Sequence, residues 1–217
     1  MISLVAFLGN YGREYENTRH NAAWQFASSL PFYSALNWQE KFKGEYAVLE
    51  TEKLAELLAK TGLLTTKDGG IPHIPDSAPE KIYFLKPLTY MNLSGESIGE
   101  LAHFFKINPD EIAVVHDELE LPFGTVSLKW AGGLGGHNGL RSTKAVLGTA
   151  DFWRIRFGLG KPAGKDIADY VLSAFLPAEQ ESLPLIFSSA GSLLAKLLLS
   201  SNPERLLSEW GKKKLLA

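Results

Sequence analysis

Cysteine is absent from the 217-residue chain, which excludes disulfides, thiolate-ligated zinc or cluster sites and a thiol nucleophile. The opening residues, Met1-Ile2-Ser3-Leu4-Val5-Ala6-Phe7-Leu8, lack a basic leader and a small-residue cleavage site and are too short an apolar run to span a bilayer. They are expected to form the first core strand of a cytoplasmic protein that does not enter membranes. Charge of one sign is not in excess either, since 22 basic and 24 acidic side chains leave a formal net charge of −2. Phosphate neutralisation normally draws on a basic excess, so any contact with nucleic acid requires segregated charge. Candidates for a basic side are Lys129, Arg141, Lys144, Arg154, Arg156, Lys161, Lys165 and the run Lys212-Lys213-Lys214, a scatter that by itself also describes a solvated face.

Repeats, low-complexity tracts and linkers are missing too, so a single domain spanning residues 1–217 is expected. Short apolar runs with strand character, Ile2 to Leu8, Tyr46 to Leu49, Ile82 to Leu85, Ile112 to Val115, Val126 to Leu128 and Ile155 to Phe157, alternate with stretches of helical period. Their interleaving predicts an α/β fold, a mixed but mostly parallel twisted sheet with helices on both faces. Helices are expected over Ala22 to Leu30, over Gly95 to Phe105 capped by Asn92 or Ser94, and over Gly139 to Leu147 behind Asn138. Pro177 opens a long apolar run to about Leu199, and Pro203 another to Trp210. The stretch from about 51 to 80, a short helix over Lys53 to Lys60 and then a Gly- and Pro-rich segment, reads as a surface excursion.

Polar residues gather where strands give way to loops, the usual place for ligand sites in α/β sheets. Strand one ends in Gly9-Asn10-Tyr11-Gly12 and leads to His20; others end in Thr89-Tyr90-Met91-Asn92, in His116-Asp117-Glu118, and, through Lys129, in a glycine-rich stretch before His137-Asn138. If these strands run parallel, Asn10, Asn92, Asp117 and Asn138 converge on one rim. Each Asn alone equally suits a helix cap or a turn, and His20 alone suits a packed or capping residue. Asp117 is more telling, because a carboxylate after a buried strand must find a partner, and a histidine it orients becomes a better general base. His73, His103, His116 and His137 form no metal-ligand spacing.

Three consensus strings are set aside. Gly95-Glu96-Ser97-Ile98-Gly99 fits the nucleophile elbow, yet Pro87 to Ser94 separate its serine from the strand. Gly158 to Ala163 fits a dinucleotide fingerprint without the helix and strand that should follow, and the glycines before Asn138 lack a phosphate loop's Lys-Ser/Thr ending.

Four ordered strings carry a resemblance: Gly9-Asn10-Tyr11-Gly12 with Thr18-Arg19-His20-Asn21-Ala22, then Tyr90-Met91-Asn92-Leu93-Ser94-Gly95, then His116-Asp117-Glu118-Leu119, then Gly135-Gly136-His137-Asn138-Gly139-Leu140. From about Ile2 to the C-terminal helices the chain resembles the bacterial peptidyl-tRNA hydrolases. The resemblance implies a monomeric cytoplasmic enzyme, without cofactor or metal, that cuts the ester between peptide and tRNA. It implies His20 as general base, Asp117 as its stabiliser, and Asn10 as the sensor of the blocked amino group. Tyr15, Tyr90, Asn92 and Asn138 then contact the tRNA end, Met91 and His137 line the cleft, and Lys129 and Arg156 grip the 5′ phosphate of the acceptor stem. Tyr11 and Leu134 depart from the usual Pro and His, and the stretch between His20 and Met91 is longer than usual by about two dozen residues. Two other classes stay open on the residues alone: a serine esterase using Ser97, and an RNA-binding module without catalysis.

Overall fold

Eight strands, β1 (Leu4–Phe7), β2 (Gln39–Lys41), β3 (Gly44–Glu50), β4 (Lys81–Pro87), β5 (Ile112–Glu118), β6 (Thr125–Trp130), β7 (Trp153–Gly158) and β8 (Lys213–Lys214), join in one sheet in the order β2-β3-β4-β1-β5-β7-β6-β8. The computed structural model describes residues 1–162, 164 and 166–216; Lys165, an expected basic residue, and Ala163, the end of the fingerprint-like string, lie outside them. Side chains of the central strands alternate between two apolar layers. Val5, Phe7, Ala113 and Val115 enter one, and Leu4, Ala6, Ile112 and Val114 the other, the period-two signature of strands covered on both faces.

Helices supply the two covers: α1 (Ala22–Ser29), α2 (Thr51–Lys60), α3 (Ser94–Phe105), α4 (Asn138–Leu147), α5 (Ile167–Val171), α6 (Pro177–Gln180), α7 (Leu183–Leu198) and α8 (Leu207–Trp210). One layer takes Phe26 of α1, Leu54 and Leu58 of α2 and Leu193 and Leu194 of α7; the other takes Ile98 and Leu101 of α3 and Leu140 of α4. Phe26 packs among the rings of Phe7, Phe157 and Phe187, an anchor whose truncation typically costs about 3–5 kcal/mol. That anchor fixes α1, and with it the turn carrying His20 at the helix entrance.

Close packing of α3 on α4 explains the elbow-like string. A Cβ on Gly95 would overlap the Ser142 backbone, and one on Gly99 the Val146 side chain, so these glycines, one turn apart, let two helices approach. Similarly, a Cβ on Gly158 would overlap the Pro122 carbonyl. Both strings therefore record close backbone approaches.

Several expectations change. The sheet is mixed with helices on both faces, but parallel pairing is confined to β4-β1-β5-β7; of the seven pairings three are parallel and four antiparallel. The α3 helix is entered through a 3₁₀ turn, Met91–Leu93, with neither Asn92 nor Ser94 as its cap. His137, not Asn138, caps α4. The run from Pro177 breaks between Gln180 and Leu183, where Pro184 has no N–H to offer the Gln180 carbonyl. Finally, α2 is core, with Leu54, Ala55 and Leu58 fully buried, so the mostly exposed excursion comprises only residues 61–80.

Candidate active site

β1, β4 and β5 run parallel, so their carboxyl ends meet at one rim. The loop after β1 brings Asn10, Tyr15 and His20 there, the turn after β4 brings Tyr90 to Asn92, and β5 ends in Asp117-Glu118. The fourth junction arrives differently: β6 is antiparallel to β7, so its chain exits at the opposite end of the sheet and must return. The return loop uses left-handed backbone at Ala131, Gly132, Gly135 and Gly136, conformations that favour glycine. Buried Arg154 holds its start, bonding the carbonyls of Gly133 at 2.7 Å and Gly132 at 3.0 Å. The loop then delivers His137 to Asp117.

Asp117 is almost fully buried, and its Oδ1 accepts from His20 Nδ1 at 2.8 Å and from His137 Nε2 at 3.1 Å. Burial pushes the Asp117 carboxyl up, but the two imidazoles outweigh it and hold it far below the usual range. Burial also opposes charge on His20; Asp117 overcomes it, so the His20 pKa lies above 6.5. Because His20 donates through Nδ1, its Nε2 lone pair is left free. His116 is the neutral neighbour: burial drives its pKa well down, and its Nδ1 donates to the Asp117 carbonyl at 2.6 Å.

The ligand atoms of His20, Asp117 and His137 lie within 4.8 Å of one another, close enough to raise the question of a metal. The donor chemistry does not suit one. A ligating imidazole presents a lone pair to the metal and an N–H to its second partner; His137 does the reverse, since its Nδ1 accepts from the Gly139 and Leu140 amides.

His20, Asn138 and Val171 line both of two depressions. A cavity of about 140 Å³ is lined by His20, Asp117, Glu118, His137, Asn138, Ile167 and Val171, among others. An open groove of about 530 Å³ is lined by Asn10, Tyr15, His20, Tyr90, Met91, Asn92, Asn138, Ala168, Val171 and Leu172. The expected amides and tyrosines thus do assemble around His20, Tyr15 and Tyr90 edge to face at 6.5 Å. Met91 is buried with its side chain in the apolar layer, while its backbone N–H donates to Asn10 Oδ1 at 2.8 Å. Lys129 and Arg156 line neither depression; they project from β6 and β7 beside Arg154, and among the described residues Arg156 reaches the site through Glu118, at 3.5 Å.

Two site residues within the recognised strings had drawn no role from sequence. Asn21 clasps the backbone of Asn10 from both sides, accepting from its N–H at 2.8 Å and donating to its carbonyl at 2.9 Å. Arg19 is buried and ties the His20 turn to the segment after α5, bonding Ser173, Ala174 and, at 2.6 Å, Glu179. An arginine and an asparagine flanking the histidine in one string were the available signal.

Ser97 is fully buried inside α3, its Oγ without a partner among the described residues, and it lines neither depression. A fluorophosphonate should therefore leave hydrolysis intact, and Ser97→Ala should retain wild-type kcat; covalent inhibition traced to Ser97 would reverse this.

An oriented histidine with a free nitrogen, no serine or threonine side chain lining the groove among the described residues, and amides around an open groove on an α/β sheet define a site of the hydrolase class. The comparisons agree: the family model described as peptidyl-tRNA hydrolase matches residues 4–216. A peptidyl-tRNA hydrolase of Treponema pallidum (strain Nichols) is 46% identical over 220 residues, covering 100% of this chain and 98% of that protein. Another, of Desulfitobacterium hafniense (strain Y51), is 44% identical over 186 residues, 85% of each. The crystal structure of peptidyl-tRNA hydrolase from Acinetobacter baumannii superposes with a TM-score of 0.79 at 30% identity, across 99% of this chain and 97% of that one. This chain belongs to the peptidyl-tRNA hydrolase family.

Proposed function

We propose that the protein hydrolyses the ester between peptide and tRNA in peptidyl-tRNA, with water as the nucleophile. The observation that carries this reading is the 2.8 Å bond from His20 Nδ1 to Asp117, which leaves the Nε2 lone pair free on a ring that lines the amide-bearing groove. His20 Nε2 removes a proton from water as the oxygen attacks the ester carbonyl. Asp117 stabilises the imidazolium, and the proton passes to the departing ribose oxygen, leaving peptide carboxylate and tRNA with a free terminal hydroxyl. In this reading the side-chain amides of Asn92 and Asn138, which line the groove, donate to the ester carbonyl oxygen as its charge grows, Asn10 meets the blocked amino group, and Tyr15 and Tyr90 stack on the tRNA end. Cleavage of N-acetyl-aminoacyl-tRNA by the purified protein tests the function; retention of tRNA without cleavage would favour a binding module instead. No helix among the described residues is long and apolar enough to cross a membrane, and a monomer in the cytoplasm fits this role.

For the tRNA body the reading uses Lys129 and Arg156. Ser127 and Lys129 on β6 face Arg156 and Arg154 on β7 in register, so three cations share a patch with one carboxylate, Glu118. Burial lowers the pKa of Lys129 and the neighbouring Arg156 and Arg154 lower it further; Arg154, by burial and then Arg156, falls to about 10. Such crowding is relieved by a phosphate. Lys129→Ala and Arg156→Ala should each raise KM for full-length peptidyl-tRNA about tenfold and flatten its salt dependence. Hydrolysis of a short N-acyl-aminoacyl-adenosine should stay unchanged, and equal damage to both substrates would contradict a phosphate clamp.

A further inference from the structure

The third imidazole of the site is occupied at both nitrogens. His137 Nδ1 accepts from the amides of Gly139 at 3.1 Å and Leu140 at 3.4 Å, the first turn of α4. A nitrogen that accepts carries no proton, so the neutral ring carries its proton on Nε2. That N–H is aimed at Asp117 Oδ1, 3.1 Å away, the same oxygen that accepts from His20.

We infer that His137 is a positioning residue of the base: a helix-capped imidazole held in one tautomer, whose N–H shares the Asp117 charge and limits the hold of that carboxylate on the His20 proton. The effect follows from competition at one oxygen. Were Asp117 Oδ1 given to His20 alone, the imidazolium would be favoured and less free base would stand ready near neutral pH; a general base works best when its pKa is close to the working pH. The α4 amides polarise the ring from behind, which strengthens Nε2–H as a donor.

Other charges nearby are engaged elsewhere. His116 donates to the Asp117 backbone carbonyl, Glu118 pairs with Arg156, Arg154 holds the return loop, and Arg19 pairs with Glu179. Among the described residues, only His20 and His137 donate to the Asp117 carboxylate. Although His137 lines the small cavity, its side chain is 7% exposed and both its ring nitrogens are engaged, so it acts on the chemistry through Asp117.

The inference rests on His20 as the base, and its test separates the two. Long-range ¹H–¹⁵N spectra of the imidazoles at about pH 7.5, near the working range, should show His137 protonated on Nε2 and bare on Nδ1; a proton on Nδ1 overturns the lock whatever His20 does. Two variants then divide the ring. His137→Asn keeps an acceptor for the α4 amides but does not reach Asp117, so the acid limb of kcat/KM should move up by roughly one pH unit while Tm falls only by what the one lost Asp117 contact costs. His137→Gln keeps a donor toward Asp117 but loses the cap, so the limb should return to its wild-type position while Tm falls. An acid limb unmoved in both variants, or one that follows Tm, reduces His137 to a helix cap. Unchanged turnover in His20→Asn would defeat the base assignment while leaving the tautomer result standing.

Discussion

Replacing His20 by alanine should lower kcat on N-acetyl-aminoacyl-tRNA by about a hundredfold or more, the scale of a lost general base, with KM little changed. Alanine also strips Asp117 of one of its two N–H donors, so lost folding could imitate lost chemistry. His20→Asn separates these, because its amide N–H replaces the donor at Nδ1 while nothing replaces the lone pair at Nε2. Both variants should be inactive, and the asparagine variant should keep near-wild-type Tm. A folded His20→Asn protein with wild-type kcat would remove the mechanism. The pH dependence has a fixed sign. Since the folded pKa of His20 lies above 6.5 and only the free base accepts a proton, kcat/KM should rise with pH through an ionisation above that value. Stability moves the other way. The His20–Asp117 pair contributes fully below the unfolded pKa of His20, and that contribution is lost as pH rises through the folded one. Asp117, held low, adds stability above its unfolded value of 3.8 that is lost in acid. Tm against pH and kcat/KM against pH should thus cross in opposite directions between mildly acidic and alkaline conditions.

The central strands could be read from sequence because burial on both faces leaves continuous apolar runs that only such strands explain, as in Leu4 to Phe7 and Ile112 to Val115. The edges could not. The residues of β2, Gln39 to Lys41, are all exposed, so no alternation marks them, and β8 is two lysines paired with β6, too short to show any pattern. Strand direction was also hidden, because an apolar run has no arrow, and β6 reads alike in either sense. The convergence of Asn10, Asn92 and Asp117 followed from parallel strands as expected. That of His137 and Asn138 needed the return loop, whose course is set by Arg154, a residue the sequence offered only as one of many cations. Nor could sequence reveal which nitrogen of His137 faces Asp117, since that depends on where the α4 amides point.

Asn10 is expected to decide between peptidyl-tRNA and aminoacyl-tRNA, which share the ester but differ in one group: a neutral amide on the first, an ammonium on the second. Its geometry sharpens the argument. Oδ1 is committed to the Met91 N–H at 2.8 Å, and Asn21 fixes the Asn10 backbone from both sides. What Asn10 offers the groove is therefore its Nδ2 donor, held in a set direction at a site it lines. A donor there can bond the carbonyl of a blocked amino group, but it turns the positive end of its dipole toward an ammonium and supplies no counter-charge for its desolvation. Removing the donor by Asn10→Ala should reduce kcat/KM for N-acetyl-aminoacyl-tRNA by roughly one to two powers of ten while changing the unblocked substrate much less, so their ratio shrinks. Asn10→Asp is nearly isosteric and keeps an acceptor for the Met91 N–H, yet puts a negative oxygen where Nδ2 stood. It should lose the blocked substrate to a similar degree and gain on the unblocked one, narrowing the ratio further than alanine does. Measuring kcat/KM for both substrates with both variants checks this, and an unchanged ratio would leave Asn10 as a spacer for the Met91 turn and pass discrimination to Asn92 or Asn138.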